Sequence, residues 1–360
     1  RDADRWLRAH GADHVMYKIC STFDSTDQVN IGPVLDALST DAGEAVVLVT
    51  PAFPETGRTV YQGHLFVGSV PLNESPLKDH PLNPMRDSNL VRVLARQSSA
   101  GVGLADLALI ARGPAAIRSK LVEFGAEGIR GVIADAVFER DLESIGAAAL
   151  GTRVSIGASG LGLGLARGLV TAGQVKRTDA SAVPQAAVGG LAACIAGSCS
   201  QATLEQIARA EQTMPVLRLA AEQLVAGMAE ASHALDWAAA RIAKGPVLIS
   251  SSAAPAEVSR LQALHGREAA GHAIEQSLAA IAEGLVERGV RRLVVAGGET
   301  SGAVVDRLRI PAFQLGPEIA PGVPVLRTIG GDRGDMLIAL KSGNFGGIDF
   351  FADALKLMSR

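Results

Sequence analysis

The sequence predicts an α/β protein of two domains, each a mostly parallel sheet flanked by helices, with a ligand cleft between them. Three observations carry this. Short apolar runs without polar alternation recur along the 360 residues, as expected of strands buried on both faces. Stretches with helical character lie between several of them. A Gly/Ala/Ser-rich segment, 157–193, breaks that rhythm near the middle of a chain long enough for two domains.

In chain order the candidate strands are His14–Cys20, Ala45–Thr50, Leu107–Ala111, Gly131–Asp135, Arg153–Ile156, Val247–Ser251, Arg292–Ala296, Ala312–Leu315 and Met336–Lys341. Helical patterns run over Pro114–Phe124, Asp141–Leu150 and Glu275–Arg288. The segment with Pro184 leads into a new apolar stretch, Gly190–Ile195, which places the domain boundary near 175–190. The resulting domains are 1–180 and 185–360. The opening Arg1-Asp2-Ala3-Asp4-Arg5-Trp6 reads as the middle of a helix, so further residues are expected before Arg1.

Composition excludes several classes. Lys and Arg number 34 against 37 Asp and Glu, for a net charge of −3. With no basic block, a nucleic-acid footprint is not expected. Aromatics at 4% are too scarce for a base-stacking platform. No apolar run reaches the roughly 18–20 residues of a membrane span. Three cysteines, Cys20, Cys194 and Cys199, cannot make a disulfide framework, which points to a reduced, cytoplasmic compartment. The histidines, His10, His14, His64, His80, His233, His265 and His272, form no zinc-type set. Cys199 has no histidine near it in sequence, which argues against a thiol nucleophile.

The strongest local feature is Val294-Val295-Ala296-Gly297-Gly298-Glu299-Thr300-Ser301-Gly302, an apolar strand running through two glycines into a helix start. Glycines admit a ligand close to the backbone, and a helix N-terminus offers unpaired N–H groups to phosphate. Ala196-Gly197-Ser198-Cys199-Ser200 repeats the pattern with the Ser198 and Ser200 hydroxyls, and Lys341-Ser342-Gly343-Asn344-Phe345-Gly346-Gly347 is a third such turn. Each alone is also what an N-capped strand-to-helix turn looks like. Three in one domain suggest a nucleotide crevice, because parallel sheets bind ligands at the carboxyl ends of their strands.

In the first domain, Tyr17-Lys18-Ile19-Cys20-Ser21-Thr22-Phe23-Asp24-Ser25-Thr26 ends a strand in a polar cluster. Lys18 is a candidate for holding a carboxylate or phosphate. Asp24 is a candidate for deprotonating or orienting a hydroxyl. The alternative for both is a polar loop. Arg58 closes the Pro-stiffened loop from Thr50, and arginine suits bidentate carboxylate recognition. Asp135, Ser159 and Gly160 follow strands on the same expected side of the sheet, and Ser25 and Thr26 complete the candidate substrate set.

These residues resemble a known family. KICSTFDST at 18–26, NIGPV at 30–34, TPAFPETGRTVYQGHLFV at 50–67 and PLNESPLKDHPLNPMRDSNLVRVL at 71–94 match the four-carbon acid sugar kinases in the first half. AGSCSQAT at 196–203, GGETSGAVV at 297–305, LGPEIAPGVP at 315–324 and LALKSGNFGGIDFF at 338–351 match in the second. The resemblance is greatest to the branch acting on 3-oxo-tetronate. It implies a cytoplasmic enzyme with a sugar-acid-binding N-terminal domain and an ATP-binding C-terminal domain. The implied reaction uses ATP and Mg²⁺ to phosphorylate the terminal 4-hydroxyl. The resemblance also implies ATP contacts at Ser198, Gly297, Gly298, Glu299, Thr300 and Gly343. Neither a nucleic-acid nor a membrane partner is implied, and a homo-oligomer is compatible. The family pattern begins with a strand and an Asp-Asp-x-Thr-Gly-Ala loop, and nothing like that loop occurs in this sequence.

Two related substrates, erythronate and threonate, stay open at this point, as does a non-catalytic sensor of sugar acid or nucleotide. A nicotinamide oxidoreductase is the third reading, prompted by Gly157-Ala158-Ser159-Gly160-Leu161-Gly162-Leu163-Gly164. That run lacks the GxGxxG order with an acidic residue about 20 positions on.

Overall fold

A computed structural model of the chain describes all residues except 28–29, 80–82, 178–186, 227–228, 254–259, 261–262, 265 and 360. His80, Pro184 and His265 therefore lie outside the described residues. Contacts divide the chain into two units, Arg1–Arg177 and Thr178–Arg360.

The first unit is built on five parallel strands in the order β1-β8-β2-β7-β6. These are β1 (Val15–Lys18), β2 (Val47–Thr50), β6 (Gly101–Ala105), β7 (Ile129–Ala134) and β8 (Val154–Gly157). Every residue of β2 and β8 is buried, which is why their sequences show no alternation. Helices Ile31–Ala42, Pro114–Ala126, Glu139–Ala149 and Ser159–Thr171 flank the sheet. Leu35, Leu48, Ile133, Leu142, Ile145 and Leu161 pack in one core. A small antiparallel sheet follows β2, consisting of β3 (Arg58–Tyr61), β4 (His64–Val67) and β5 (Val70–Pro71). Its first turn, Gln62-Gly63, has φ of 50° and 71°, the double positive φ that a two-residue hairpin needs to match strand twist.

Two expectations fail here. Leu107–Ala111 is not a strand: Leu107–Ile110 is a helical turn, and the strand is β6 just before it. Asp106 starts that turn by accepting the Leu109 N–H at 2.9 Å. β6 is disguised by Gly101 and Gly103, yet those glycines leave room for Ile129 and, at Gly103, also for Phe124. The segment 157–193 also holds a helix, Ser159–Thr171, rather than only a break in the rhythm.

The second unit is a seven-stranded sheet, β10-β11-β9-β12-β15-β14-β13. The first five strands are parallel: β9 (Leu191–Ala196), β10 (Val216–Arg218), β11 (Val247–Ser250), β12 (Val290–Ala296) and β15 (Leu337–Lys341). The last two, β13 (Ala312–Ala320) and β14 (Val323–Ile329), are antiparallel. β13 runs five residues beyond the expected Leu315. It carries Pro317 on an edge strand, the place in a sheet that tolerates a missing N–H. Helices Gln201–Ala210, Arg267–Glu287, Gly298–Leu308 and Phe350–Leu357 are among those flanking this sheet. No helix among the described residues is long and apolar enough to cross a membrane.

Candidate active site

In the second unit β9, β12 and β15 are neighbours and run parallel, so their three glycine-rich turns leave the sheet side by side. Backbone bonds join them: Gly197 N–H to Ala296 O at 2.9 Å and Gly297 N–H to Lys341 O at 2.9 Å. Two of the turns lead directly into helices, Gln201–Ala210 and Gly298–Leu308. Ser200 caps the first, accepting the Thr203 N–H at 3.3 Å. The second starts at Gly297 with φ of 132° and no side-chain cap, leaving its first amides for a ligand.

The glycines of these turns serve different ends. Gly298 has no atom within 4 Å of where a Cβ would stand, so its backbone borders open space. Gly197 and Gly297 instead face the Thr300 hydroxyl, which is buried and wedged between the two turns. Gly343 lies against Ser198 and Ser200. Ser198 and Ser200 hydroxyls are 3.2 Å apart, and Ser200 Oγ donates to Gly343 O at 2.7 Å. Glu299 is exposed at the helix start. Burial and the Glu299 charge push the Glu275 carboxyl above its ordinary range.

Three residues that sequence reasoning passed over hold the third turn. Gln206, buried, directs its amide to the carbonyls of Phe345, Gly346 and Gly347 at 3.0–3.1 Å. Thr203 Oγ1 donates to Gly343 O at 2.9 Å. Lys341, 1% exposed, reaches the same carbonyl at 2.9 Å. The available signal was a lysine ending an otherwise apolar strand.

In the first unit, β1, β8 and β2 also end side by side, with Lys18 paired to Gly157 and the Ala158 N–H on Thr50 O at 3.1 Å. Lys18 is exposed there, next to the uncapped start of the helix carrying Ser159 and Gly160. These three candidates are brought together. Ser159 is exposed, whereas Gly160 is buried because any Cβ would run into Ala52 O. Arg58 and Asp24 share a second neighbourhood. Arg58 is buried and donates to Thr56 O; burial lowers its pKa, with the nearby Cys20 opposing the shift. The Thr22 hydroxyl bonds Asp24 Oδ1 at 2.6 Å, and burial together with the Asp24 charge raises the Cys20 thiol.

Ser25 and Thr26 fall elsewhere, on a cavity of 640 Å³ whose wall includes Asp27, Arg86, Asp87 and Arg96. Ser25 is tied to Asn30 and Gln97 at 2.7 and 2.8 Å. Arg96 bonds Asp27 at 2.8 Å and Asp87 at 3.3 Å. Asp135 is a different case again. Fully buried, it accepts the backbone N–H groups of Gln62, Gly63 and Leu107 at 2.8–3.0 Å. Burial raises its pKa while those bonds oppose the rise. This carboxylate braces the β3–β4 turn and the 107–110 helix.

Comparison with known proteins agrees with this division. Residues 1–165 match the model of a sugar-binding N-terminal domain, and residues 193–351 that of a nucleotide-binding C-terminal domain. A 3-oxo-tetronate kinase of Methylobacterium radiotolerans is 66% identical over 359 residues, covering 100% of this chain and 84% of that protein. Another of that name, from Burkholderia multivorans, is 47% identical, covering 99% and 82%. A solved structure from Salmonella typhimurium LT2 superposes with a TM-score of 0.81 at 36% identity, covering 98% of this chain and 83% of that one. Adjacent strand ends that carry three glycine-rich turns, the two matched domain models and such relatives lead to one assignment: the chain belongs to the four-carbon acid sugar kinase family.

Proposed function

We propose that the chain is a 3-oxo-tetronate kinase, transferring the γ-phosphoryl group of ATP to the terminal 4-hydroxyl to give 3-oxo-tetronate 4-phosphate and ADP. The observation that carries the ATP half is the trio of turns at the ends of β9, β12 and β15, with the open backbone at Gly298. The substrate is inferred from the relatives' names. Phosphoryl transfer needs positioning and charge stabilisation more than covalent chemistry from the protein. The amides of Gly298, Glu299 and Thr300 would hold phosphate oxygens, with Ser198 and Ser200 beside them and Gly343 letting its turn pack closely against those two serines. Mg²⁺ enters with the nucleotide as part of that substrate. No three His, Cys, Asp or Glu side chains converge among the described residues, so phosphates and water would fill most of its coordination sphere. In the first unit, Lys18 with the amides at Ser159 would take the acid's carboxylate. Asp24, held by Thr22, would accept the proton as the 4-hydroxyl attacks. ATP as co-substrate fits a cytoplasmic setting.

A coupled ADP-release assay across 3-oxo-tetronate, erythronate and threonate tests this. Expected is a preference for the 3-oxo acid of about 10²-fold or more in kcat/KM, since a site built around one oxygen pattern rejects another. ADP release no faster than background with all three acids would remove the kinase reading.

Two substitutions test the halves separately. Gly298→Val fits the folded chain but fills the space beside the phosphate amides. ATP binding should weaken by about 1.5–3 kcal/mol per charged hydrogen bond lost, with the melting temperature unchanged. Wild-type ATP affinity in a calorimetric titration would place the phosphates elsewhere. Lys18→Met should raise KM for the acid and leave KM for ATP nearly unchanged. Equal changes in both constants would return Lys18 to a structural role.

A further inference from the structure

Lys341 stands at the end of β15 with its ammonium buried. Its three protons meet three acceptors: Thr203 Oγ1 at 3.0 Å, Gly343 O at 2.9 Å and Ser342 O at 3.3 Å. The Phe350 ring lies 5.6 Å from the nitrogen. All the partners are neutral, and no ion pair to a carboxylate is formed among the described residues. A buried cation balanced only by neutral dipoles is costly. An anion arriving beside the Gly343 turn would offset that cost.

We propose that Lys341 is the positioning residue of the nucleotide site: it clamps the Gly343 turn to the helix carrying Thr203, and the phosphates of the bound nucleotide supply its missing counter-charge. The proposal rests on the reading of these turns as the ATP site. Gly343 O receives Ser200 Oγ, Thr203 Oγ1 and Lys341 Nζ together, so the carbonyl is fixed from three directions. That fixes the turn against Ser198 and Ser200, the hydroxyls proposed to meet the nucleotide.

The charged and titratable groups on the surrounding elements do not neutralise Lys341. On the Thr203 helix, Glu205 takes the Gln201 amide, and Arg209 pairs with Asp349 at 2.7 Å. Asp353 and Lys356, on the helix of Phe350, are exposed, as is Glu299 after β12. Arg327 on β14 pairs with Asp335 and sits in register with Leu337, four residues from Lys341. Arg291 and Arg292 lie at the opposite end of β12, and Cys199 Sγ approaches Gly197 O. Burial alone lowers the Lys341 pKa, to about 8. Phosphates nearby favour the ammonium and raise that pKa again. Nucleotide binding should therefore take up a proton above about pH 8, and affinity should fall as pH rises through that value.

Calorimetric titration of the whole chain with MgATP, Mg²⁺ saturating, at pH 7 and pH 9 in two buffers of different ionisation enthalpy, tests this. Expected is binding about tenfold weaker at pH 9, with uptake approaching one proton per nucleotide there. Lys341→Gln should bind more weakly at pH 7, lose this pH dependence and leave KM for the acid nearly unchanged. Lys341→Arg should recover part of the affinity without the change near pH 8. Equal wild-type affinity at both pH values with no buffer-dependent heat would overturn the proposal, as would an unchanged pH dependence in Lys341→Gln, which would assign the proton to another group. If Lys341→Gln does not fold, Lys341→Arg decides in its place: a change near pH 8 that persists in Lys341→Arg would overturn the proposal. Absence of any nucleotide heat at either pH would remove the proposal together with the ATP-site reading beneath it.

Discussion

Gly343→Ala should reduce ATP affinity by about 10²-fold, equivalent to about 2.7 kcal/mol, with little change in KM for the sugar acid. Its added Cβ would overlap Ser198 Oγ and come within 2.9 Å of Ser200 Oγ and 3.1 Å of Ser198 Cβ. One serine can rotate away, but both belong to the same tight turn, and the Ser200 N–H is itself bonded to Ser198 Oγ at 3.2 Å. The 343 turn cannot retreat either, because Lys341, Thr203 and Ser200 all hold its carbonyl. The strain therefore falls on the hydroxyls placed for the nucleotide. Calorimetry with ATP and a melting curve separate the effects: lost affinity with a retained transition supports the geometry, whereas wild-type affinity would show that the turn yields at no cost.

Gly146→Ala should destabilise the first unit by about 3 kcal/mol or more, although alanine is the better helix former by about 1 kcal/mol. Helices Glu139–Ala149 and Ser159–Thr171 cross with their backbones in contact. A Cβ on Gly146 would overlap the Gly164 carbonyl and lie 2.5 Å from Leu165 N, while one on Gly164 would overlap Leu142 O. Backbone cannot rotate aside as a side chain does, so the helices must separate and open the packing of Leu142, Ile145, Leu161 and Leu165. Gly162, on the same helix, provides the contrast. Its nearest neighbour to an added Cβ is Met16 Sδ at 3.9 Å, so Gly162→Ala should be neutral or stabilising by up to about 1 kcal/mol. Denaturant unfolding of the two variants checks the difference in sign. Equal stabilities would refute the backbone crossing. The crossing also accounts for part of the glycine run at 157–164, which had prompted the oxidoreductase reading: Gly160 and Gly164 are required by close packing.

The sequence by itself determined the features whose cause is local. Buried parallel strands need continuous apolar runs, so β2, β7, β8, β11 and β12 were legible within a few residues. A strand followed by Gly and Ser or Thr and then a helix start has its own chemical pattern. For that reason the turns at Gly197, Gly297 and Gly343 could be picked out before any fold was known, and the long family motifs added the sugar-acid domain. Tertiary structure alone decided what depends on distant partners. Leu107–Ile110 is as apolar as a strand, and only Asp106 and Asp135, bonding its first amides, make it a helical turn. Gly101 and Gly103 give β6 no continuous apolar signature in the sequence, and in the fold Ile129 fills the space beside both and Phe124 that beside Gly103. The strand-end position of Asp135 was legible, but the three amides that its carboxylate accepts come from Gln62, Gly63 and Leu107, which only the fold brings to it. Lys341 is the plainest case: a lysine ending a strand is ordinarily solvated, and its burial follows from Thr203, Gly343 and Phe350 closing around it from elements up to 138 residues away. Burial and charge balance are sums over neighbours that the fold brings together, and sequence spacing does not contain those sums.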